Sequence, residues 1–332
     1  MPIFSCSSSL RRLCVGLLAS VGIGLAATAQ AAWPDKPVHL IVPFPPGSSP
    51  DTLARAIAEP LSQALKQVVV IENKPGAGGN IGTRAVAQAD PDGYTVLYTI
   101  NGPLVTAPTL YQHTLGYDPL KDLAPVTLVA TSPNVLTVSA NSPVKDVAQF
   151  VELARKEGDK LNYGSVGPGS SAHLGMEMFK HAADIDLLHV PYSGFPQVIT
   201  AIIAGDVHAG FMVPAIAMPQ VNGGKARALA VTSLQPSPLL PGVPTMDSLG
   251  YKDFESISWN AVLVPAGTPQ PIVDRLNTEL AEIIRSDKVR ELLAAQYFTA
   301  QPSSPQELTD LIVREKARWD QVIGRLGLSL DK

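Results

Sequence analysis

The chain has 332 residues and a formal net charge of −4, and 16% of its residues are charged while 45% are hydrophobic. This composition excludes a chain that is disordered throughout, and the length suits two compact domains better than one. A mildly acidic chain without basic runs also argues against nucleic acid as a partner.

The first residues have the order of a secretory signal. Arg11 and Arg12 form a basic segment, and an uncharged apolar stretch follows over residues 13–25. Ala29-Gln30-Ala31 then offers a small-x-small cleavage site. Because the apolar stretch is short for a membrane span, we predict that residues 1–31 are a signal peptide cleaved near Ala31. The mature protein is therefore expected to be exported.

Both cysteines, Cys6 and Cys14, lie inside this segment. Cleavage would leave a mature protein without cysteine, which excludes a disulfide framework, thiol catalysis and a cysteine-ligated metal site. It would also remove Arg11 and Arg12, leaving 23 basic side chains against 29 acidic ones and a formal net charge of −6. We predict no cofactor.

The first part of the mature chain alternates strands and helices. Residues 38–44 (VHLIVPF) form a nearly continuous apolar run, which is typical of a strand covered on both faces. Apolar residues at helical spacing then predict a helix over 51–65, in which we expect Pro60 to introduce a kink. The pattern continues with a strand over 68–72, a helix over 81–89 and a strand over 95–100. This βαβαβ order predicts a parallel sheet with right-handed crossovers.

A second α/β unit begins after residue 125. Its predicted strands and helices, with those that close the chain, lie over 126–129, 135–139, 147–157, 162–165, 171–183, 187–190, 197–204, 209–212, 227–232, 258–264, 269–285 and 305–326. Because the first sheet lacks enough helices to cover it, we expect the last two helices to return to it. We therefore predict one lobe of residues 32–131 and 257–332, a second lobe of residues 132–256, and a ligand cleft between them at the carboxyl ends of the strands.

A loop over residues 44–51, here called the first loop, joins the first strand to the first helix. Ser49 is a good N-cap and Pro50 suits the first helical position. The free N–H groups of that turn, with the partial positive charge of the helix end, make an anion site. An ordinary capped turn, with Asp51 well placed at a helix N-terminus, explains the same residues equally well.

A similar loop over residues 165–173, the second loop, follows a short strand in the other predicted lobe. It is rich in glycine and serine and ends in a helix, with His173 about one turn inside. Two such loops, one in each lobe, would let two helix N-termini face each other across a cleft. That arrangement suits a small anion bearing a carboxylate and requires no arginine.

Signatures of nucleotide binding, metal binding and catalysis are weak. The glycine-rich loop over residues 76–82 fails the GxGxxG pattern because Ile81 occupies a required glycine position, so a structural turn beside the cleft is favoured. His173 and Glu177 are four residues apart but lack a third metal ligand. The enzymatic alternative is a hydrolase in which Ser165 or Ser170 pairs with His173.

Motifs along the whole mature chain carry a family resemblance. They are Trp33-Pro34 through Val42-Pro43-Phe44, residues 72–82 (ENKPGAGGNIG), Pro91-Asp92-Gly93-Tyr94-Thr95, Tyr117-Asp118-Pro119, residues 162–174 and Val190-Pro191-Tyr192. The sequence resembles the Bug, or TctC-like, receptors of tripartite tricarboxylate transporters. The resemblance implies a two-lobed periplasmic-binding-protein fold of the Venus-flytrap type, monomeric and without enzymatic activity. It also implies a small carboxylate as ligand and membrane permease subunits, or alternatively a membrane sensor, as partners.

The resemblance further implies that main-chain amides and hydroxyls of the two loops hold the carboxylate. The positions that match the family motifs, together with Phe195, are the expected ligand-binding residues. They are Phe44, Gly47, Ser48, Asp51, Ser165, Gly167, Ser170, Ser171, His173, Tyr192 and Phe195.

Three positions depart from the family pattern. Ser48 replaces the second of two glycines, Phe195 stands where small residues are usual, and Val213 takes the place of an acidic residue. We therefore expect the far end of the ligand pocket to be apolar. This favours a monocarboxylate with a ring or a short chain over citrate.

Overall fold

The structure, a computed structural model, describes Met1 and residues 33–331. The predicted signal peptide and its cleavage site near Ala31 lie outside the described residues apart from Met1, as do Arg11, Arg12 and both cysteines. Within the described part of the chain, no helix combines the length and the apolar character needed to cross a membrane.

The secondary structure alternates strands and helices over most of residues 36–331. The strands are β1 Val38–Val42, β2 Val69–Asn73, β3 Thr95–Ile100, β4 Leu123–Pro133, β5 Val135–Ser139, β6 Asn162–Ser165, β7 Leu188–Pro191, β8 Gly210–Met212, β9 Ala226–Val231, β10 Ile257–Pro265 and β11 Thr299–Ala300. The α-helices are α1 Ser49–Leu65, α2 Asn80–Ala87, α3 Gly102–Val105, α4 Ala107–Leu110, α5 Val147–Glu157, α6 Ser171–Ala183, α7 Phe195–Ala204, α8 Pro214–Asn222, α9 Gln270–Arg285, α10 Asp287–Ala294 and α11 Pro305–Leu326.

The first lobe is built on a six-stranded sheet with the order β11-β4-β10-β3-β1-β2. β1 pairs in parallel with β2 and β3, as the βαβαβ pattern predicts. β10 lies antiparallel between β3 and β4, which makes the complete sheet mixed. β10, which comes late in the chain, therefore lies inside the first sheet and pairs with β3 on one side and β4 on the other.

The second lobe is built on two smaller sheets. β5 pairs antiparallel with both β8 and β9, and β6 pairs in parallel with β7. A bridge between Tyr163 and Ala209 joins β6 to the segment that leads into β8. Strands of the first sheet end at Pro133 and resume at Ile257. The predicted lobe boundaries at residues 131–132 and 256–257 remain a prediction.

Each lobe has its own buried apolar core. In the first lobe, Ile41, Leu97 and Trp259 from the sheet pack with Trp319 of α11. In the second lobe, aromatic side chains that include Phe150, Phe179, Phe211 and Phe254 fill the space between sheet and helices. The last helix thus covers the first sheet. Helix α1 runs without interruption through Pro60.

A buried polar network holds the segments that pass between the sheets. Asn134 separates β4 from β5, Thr232 follows β9, and Ser256 precedes β10. The Asn134 main-chain N–H donates to Thr232 Oγ1 at 2.8 Å, and Thr232 Oγ1 donates to the Ser256 carbonyl at 2.6 Å. Asn134 Nδ2 donates to the same carbonyl at 2.9 Å. The three segments are therefore held to one another by buried hydrogen bonds.

Thr232→Val should lower the free energy of unfolding by about 1–3 kcal/mol, measured by urea denaturation. Valine has nearly the same shape but can make neither bond, so the buried Asn134 N–H loses its acceptor. Thr99→Val is the matched control, because Thr99 Oγ1 is buried and has no hydrogen-bond partner among the described residues. The control should not lower the free energy of unfolding, because it removes a buried hydroxyl that has no partner among the described residues. Equal losses in both variants would contradict the role of the network.

Candidate functional site

A cavity of about 620 Å³ lies where the first and second loops meet. Phe44, Ser49 and Pro50 line it from the first loop, and Ser170 and Ser171 line it from the second. This volume is in the range of pockets that enclose small ligands. The two loops singled out in the sequence therefore border one cavity.

Asp51 is buried behind the first loop and holds it through hydrogen bonds. Its side chain is about 1% exposed and does not line the cavity. The carboxylate accepts hydrogen bonds from the Gly47 main-chain N–H at 2.8 Å, from Arg55 Nε at 2.9 Å and from Asn73 Nδ2 at 2.9 Å. Burial would raise the pKa of Asp51, but these hydrogen bonds outweigh it and hold the pKa below the usual 3.8. Asp51 is thus a charged support of the loop.

Gly47 and Ser48 of the first loop are not among the residues that line the cavity. Gly47 adopts a left-handed φ of 78°, which glycine reaches without strain. Ser48 is the N-cap of α1, one residue earlier than the Ser49 predicted from the sequence, and no side-chain cap bond forms. Its hydroxyl donates instead to the Pro45 carbonyl at 2.7 Å. Direct ligand contacts from Gly47 and Ser48 remain predictions.

The glycine-rich loop borders the cavity beside the first loop. Ala77, Gly78 and Asn80 line it. A Cβ added at Gly79 would come within 2.8 Å of the Phe44 ring, so the close approach of the two loops requires glycine there. The structural turn expected beside the cleft therefore forms part of the cavity wall.

The second loop is held by its own side chains. Ser170 is the N-cap of α6, accepting from the His173 main-chain N–H at 3.3 Å and donating to the Gly167 carbonyl at 2.7 Å. Gly169 lines the cavity, and a Cβ there would come within 2.7 Å of Leu110 in the other lobe. Ser171, the first residue of α6, also lines the cavity, so the N-terminus of this helix borders it.

Ser165 and His173 support this loop from the interior. Ser165 is completely buried, and its Oγ lies 2.6 Å from His189 Nε2. His173 is about 5% exposed, and its Nδ1 accepts from the Gly169 main-chain N–H at 3.2 Å. Neither side chain lines the cavity. The hydrolase alternative paired a serine with His173, but Ser165 bonds to a different histidine, His189, which sequence reasoning missed.

The two histidines belong to a buried cluster of rings and charges. His173 and His189 have ring centroids 4.3 Å apart, and Tyr163 stacks on His189 at 4.9 Å. Tyr163 donates to Glu177 at 2.6 Å, and Lys180 donates to the same carboxylate at 2.9 Å. Burial, with the charges of His189 and Lys180, lowers the pKa of His173 to about 4 against a partial opposing effect of Glu177. Burial also lowers the pKa of His189.

The remaining predicted positions divide between cavity and core. Phe195 and Val213 line the cavity, as the expected apolar end requires. Tyr192 packs against the second-lobe core, and its main-chain N–H donates to the Ser165 carbonyl at 2.9 Å. Ligand contact by Gly167 and Tyr192 therefore stays a prediction.

The cavity combines an uncharged lining with many helix starts. None of the described residues that line it is Asp, Glu, Lys, Arg or His. The first turns of α1, α2, α6, α7 and α8 all contribute lining residues, which are Ser49, Pro50, Asn80, Ser171, Phe195, Pro214, Ala215 and Ile216. The N-terminal turns of five helices of at least eight residues therefore border the cavity, where helix dipoles favour negative charge, and no basic side chain among the described residues lines it.

Sequence reasoning missed the floor of the cavity, which the first sheet supplies. Ser132 of β4 and Ser258 and Asn260 of β10 line it, together with Asn101 beside the start of α3. Polar residues at alternate positions 258 and 260 of a buried strand were the available signal. Among the described residues, no group of three or more His, Cys, Asp or Glu is arranged to hold a metal ion.

We expect the free energy of unfolding to fall as the pH is lowered from about 6.5 to about 4. The pKa of His173 in the folded protein lies below the ordinary 6.5, so the unfolded chain binds more protons in this window. His173→Asn should reduce the slope of the free energy of unfolding against pH by up to about 1.4 kcal/mol per pH unit, measured by urea denaturation.

The matched control for this prediction is His113→Asn, at an exposed histidine outside the cluster. It should keep the wild-type slope. A slope that is unchanged in His173→Asn, or reduced equally in both variants, would contradict a buried neutral His173.

Three comparisons with known proteins identify the family of the chain. A profile described as "Tripartite tricarboxylate transporter family receptor" matches residues 53–328. Protein BugT of Bordetella pertussis is 33% identical over 320 residues, which cover 95% of this chain and 98% of BugT. An R. palustris protein solved with adipate is similar with a TM-score of 0.77 and 36% identity, covering 90% of this chain and 99% of that chain.

A further solved structure is MatC from Rhodopseudomonas palustris with bound malate. It has a TM-score of 0.73 and 31% identity, and the match covers 88% of this chain and all of MatC. These matches confirm both the resemblance drawn from the sequence motifs and the two-lobed α/β fold. The chain therefore belongs to the tripartite tricarboxylate transporter receptors, the TctC or Bug family of periplasmic solute-binding proteins.

Proposed function

We propose that this protein binds a small organic carboxylate in the cavity between its lobes. The observation that carries the proposal is that the first turns of five helices of at least eight residues line a cavity whose described lining residues carry no charge. A carboxylate there would be met by main-chain N–H groups that are already fixed in position. The adipate and malate bound by two solved relatives support a carboxylate as the ligand class.

The body of the solute is proposed to be apolar. Phe195 and Val213 line the cavity with Ile100, Leu110 and Phe298. Apolar walls favour a ring or short alkyl chain, since burying a second carboxylate against them would cost its hydration. We therefore propose a monocarboxylate over citrate.

The contacts of the serines favour binding over hydrolysis. Ser165 is completely buried against His189, and the Ser170 hydroxyl is engaged by Gly167 and by the start of α6. The Nδ1 atom of His173 is occupied by the Gly169 main-chain N–H. A nucleophile needs a paired base and access to the substrate. We therefore propose a receptor without enzymatic activity, which delivers its solute to membrane permease subunits of a tripartite transporter.

A melting screen with matched pairs of ligands tests the proposal. Each carboxylate, such as hexanoate or 3-phenylpropanoate, is compared with its uncharged primary amide at equal concentration. A bound carboxylate should raise the melting temperature, and its amide should not, because the amide forgoes the charge-assisted hydrogen bonds. Amides that stabilise the protein as well as carboxylates would contradict the ligand class. Citrate outcompeting every monocarboxylate would contradict the apolar far end.

Ser171→Pro should weaken binding of the best carboxylate in that screen at least tenfold, measured by isothermal titration calorimetry. Proline fits the first position of a helix but lacks the N–H group, and loss of one hydrogen bond to a charged group costs about 1.5–3 kcal/mol. The preceding Ser170 has φ −67° and ψ 156°, a conformation that proline accepts in its neighbour.

Asp287→Pro is the matched control for this substitution. Asp287 is the exposed first residue of α10, a helix that contributes no residue to the cavity lining, and Ser286 before it has φ −64° and ψ 143°. The control should keep wild-type affinity. Equal affinity in Ser171→Pro and wild type would contradict a role for this N–H group.

A further inference from the structure

The floor of the cavity presents polar side chains from two paired strands. Ser258 and Asn260 lie two residues apart on β10 and so share one face of the sheet. Ser132 on β4 is the register partner of Ser258. All three line the cavity. They are polar, whereas other lining residues such as Phe195 are apolar. The floor is therefore the one place in the described lining where the first sheet itself offers polar groups.

Asn260 differs from its polar neighbours because its carboxamide oxygen is unpaired. The residue is about 1% exposed, and Oδ1 is buried with no hydrogen-bond partner among the described residues. By contrast, Asn101 Nδ2 donates to the Ile257 carbonyl at 3.1 Å, and Ser132 Oγ lies 3.5 Å from the Pro133 carbonyl. Buried polar groups in folded proteins are nearly always paired, because one left unpaired loses its hydration without compensation.

The pairing of the sheet is irregular at Asn260. Asn260 lies opposite Ile100 of β3 and Ala130 of β4, and the register with β4 shifts between Asn260 and Ala261. An irregularity of this kind re-aims side chains and is common beside functional sites. Asn260 therefore lies in the lining of the cavity, at a point where the sheet departs from regular pairing.

We propose that the solute carries, apart from its carboxylate, a hydrogen-bond donor that pairs with Asn260 Oδ1. The donor is a hydroxyl or an N–H group at the end of an apolar body. This inference rests on the proposed function, because the carboxylate at the helix starts fixes which end of the solute meets the floor. A site with a buried acceptor discriminates strongly against analogues that lack the donor, since they leave the acceptor unpaired.

Matched carboxylates that differ at one end test the proposal by isothermal titration calorimetry. The two series are hexanoate with 6-hydroxyhexanoate and adipate, and 3-phenylpropanoate with 3-(4-hydroxyphenyl)propanoate. In the series that binds more tightly, wild-type protein should prefer the hydroxylated ligand at least tenfold. Asn260→Leu should weaken that ligand at least tenfold while changing the parent ligand less than threefold.

Thr99→Val separates this specific effect from a general effect of altering the sheet. Thr99 pairs with Ala261, next to Asn260, and its Oγ1 is also buried without a partner among the described residues, but it does not line the cavity. This variant should keep the wild-type preference for the hydroxylated ligand. Circular dichroism and the melting temperature of each variant without ligand establish that it is folded.

Three outcomes would overturn the inference while leaving the proposed function intact. Wild-type protein that binds parent and hydroxylated ligands equally has no donor requirement. Asn260→Leu that weakens both ligands equally acts through packing alone. The third outcome is that Asn260→Leu weakens adipate binding more than 6-hydroxyhexanoate binding. This would show that the Asn260 side chain donates from Nδ2 to a second carboxylate. If no carboxylate in either series binds, the proposed function itself is wrong and this inference falls with it.

Discussion

An anion enclosed away from water must be met by donors that are already in place, because the cost of removing its hydration is large. In this protein the described lining of the cavity contains no basic side chain, and we propose that the first turns of five helices take that role. Helix starts supply oriented N–H groups that need no reordering when a ligand arrives. In the folded chain these helix starts line one cavity, and the buried polar network of Asn134, Thr232 and Ser256 joins the segments between the sheets.

The charged and titratable groups near the cavity form hydrogen bonds that hold the two loops in place. Asp51 binds the Gly47 N–H beneath the first loop, while His173 and the Ser165–His189 pair hold the second from the interior. Their side chains are absent from the described lining. This division explains why polar residues that a motif comparison marks for ligand binding are buried in loop contacts here. Rigid loops reduce the ordering cost of binding, which favours affinity.

Local sequence patterns were sufficient for much of the fold and for both loops. The apolar run of β1, the helical spacing of α1 and the serine caps of α6 are set by neighbouring residues, so periodicity and capping rules reach them. Pairing between distant segments is different. The insertion of β10 between β3 and β4 and the Ser165–His189 bond depend on residues from 24 to 166 positions apart, which no local pattern encodes. Asn260 sits at such a junction, which is why only the folded sheet brings it to the cavity.

A crystal structure with bound solute tests the central claim most directly. Native mass spectrometry of freshly purified protein, prepared without added carboxylates, would identify the solute for the crystals. We predict carboxylate oxygens at about 2.7–3.1 Å from main-chain nitrogen atoms of both loops, with no lysine, arginine or histidine side chain in contact. A carboxylate paired with a basic side chain, or bound outside the cavity between the two loops, would contradict the account.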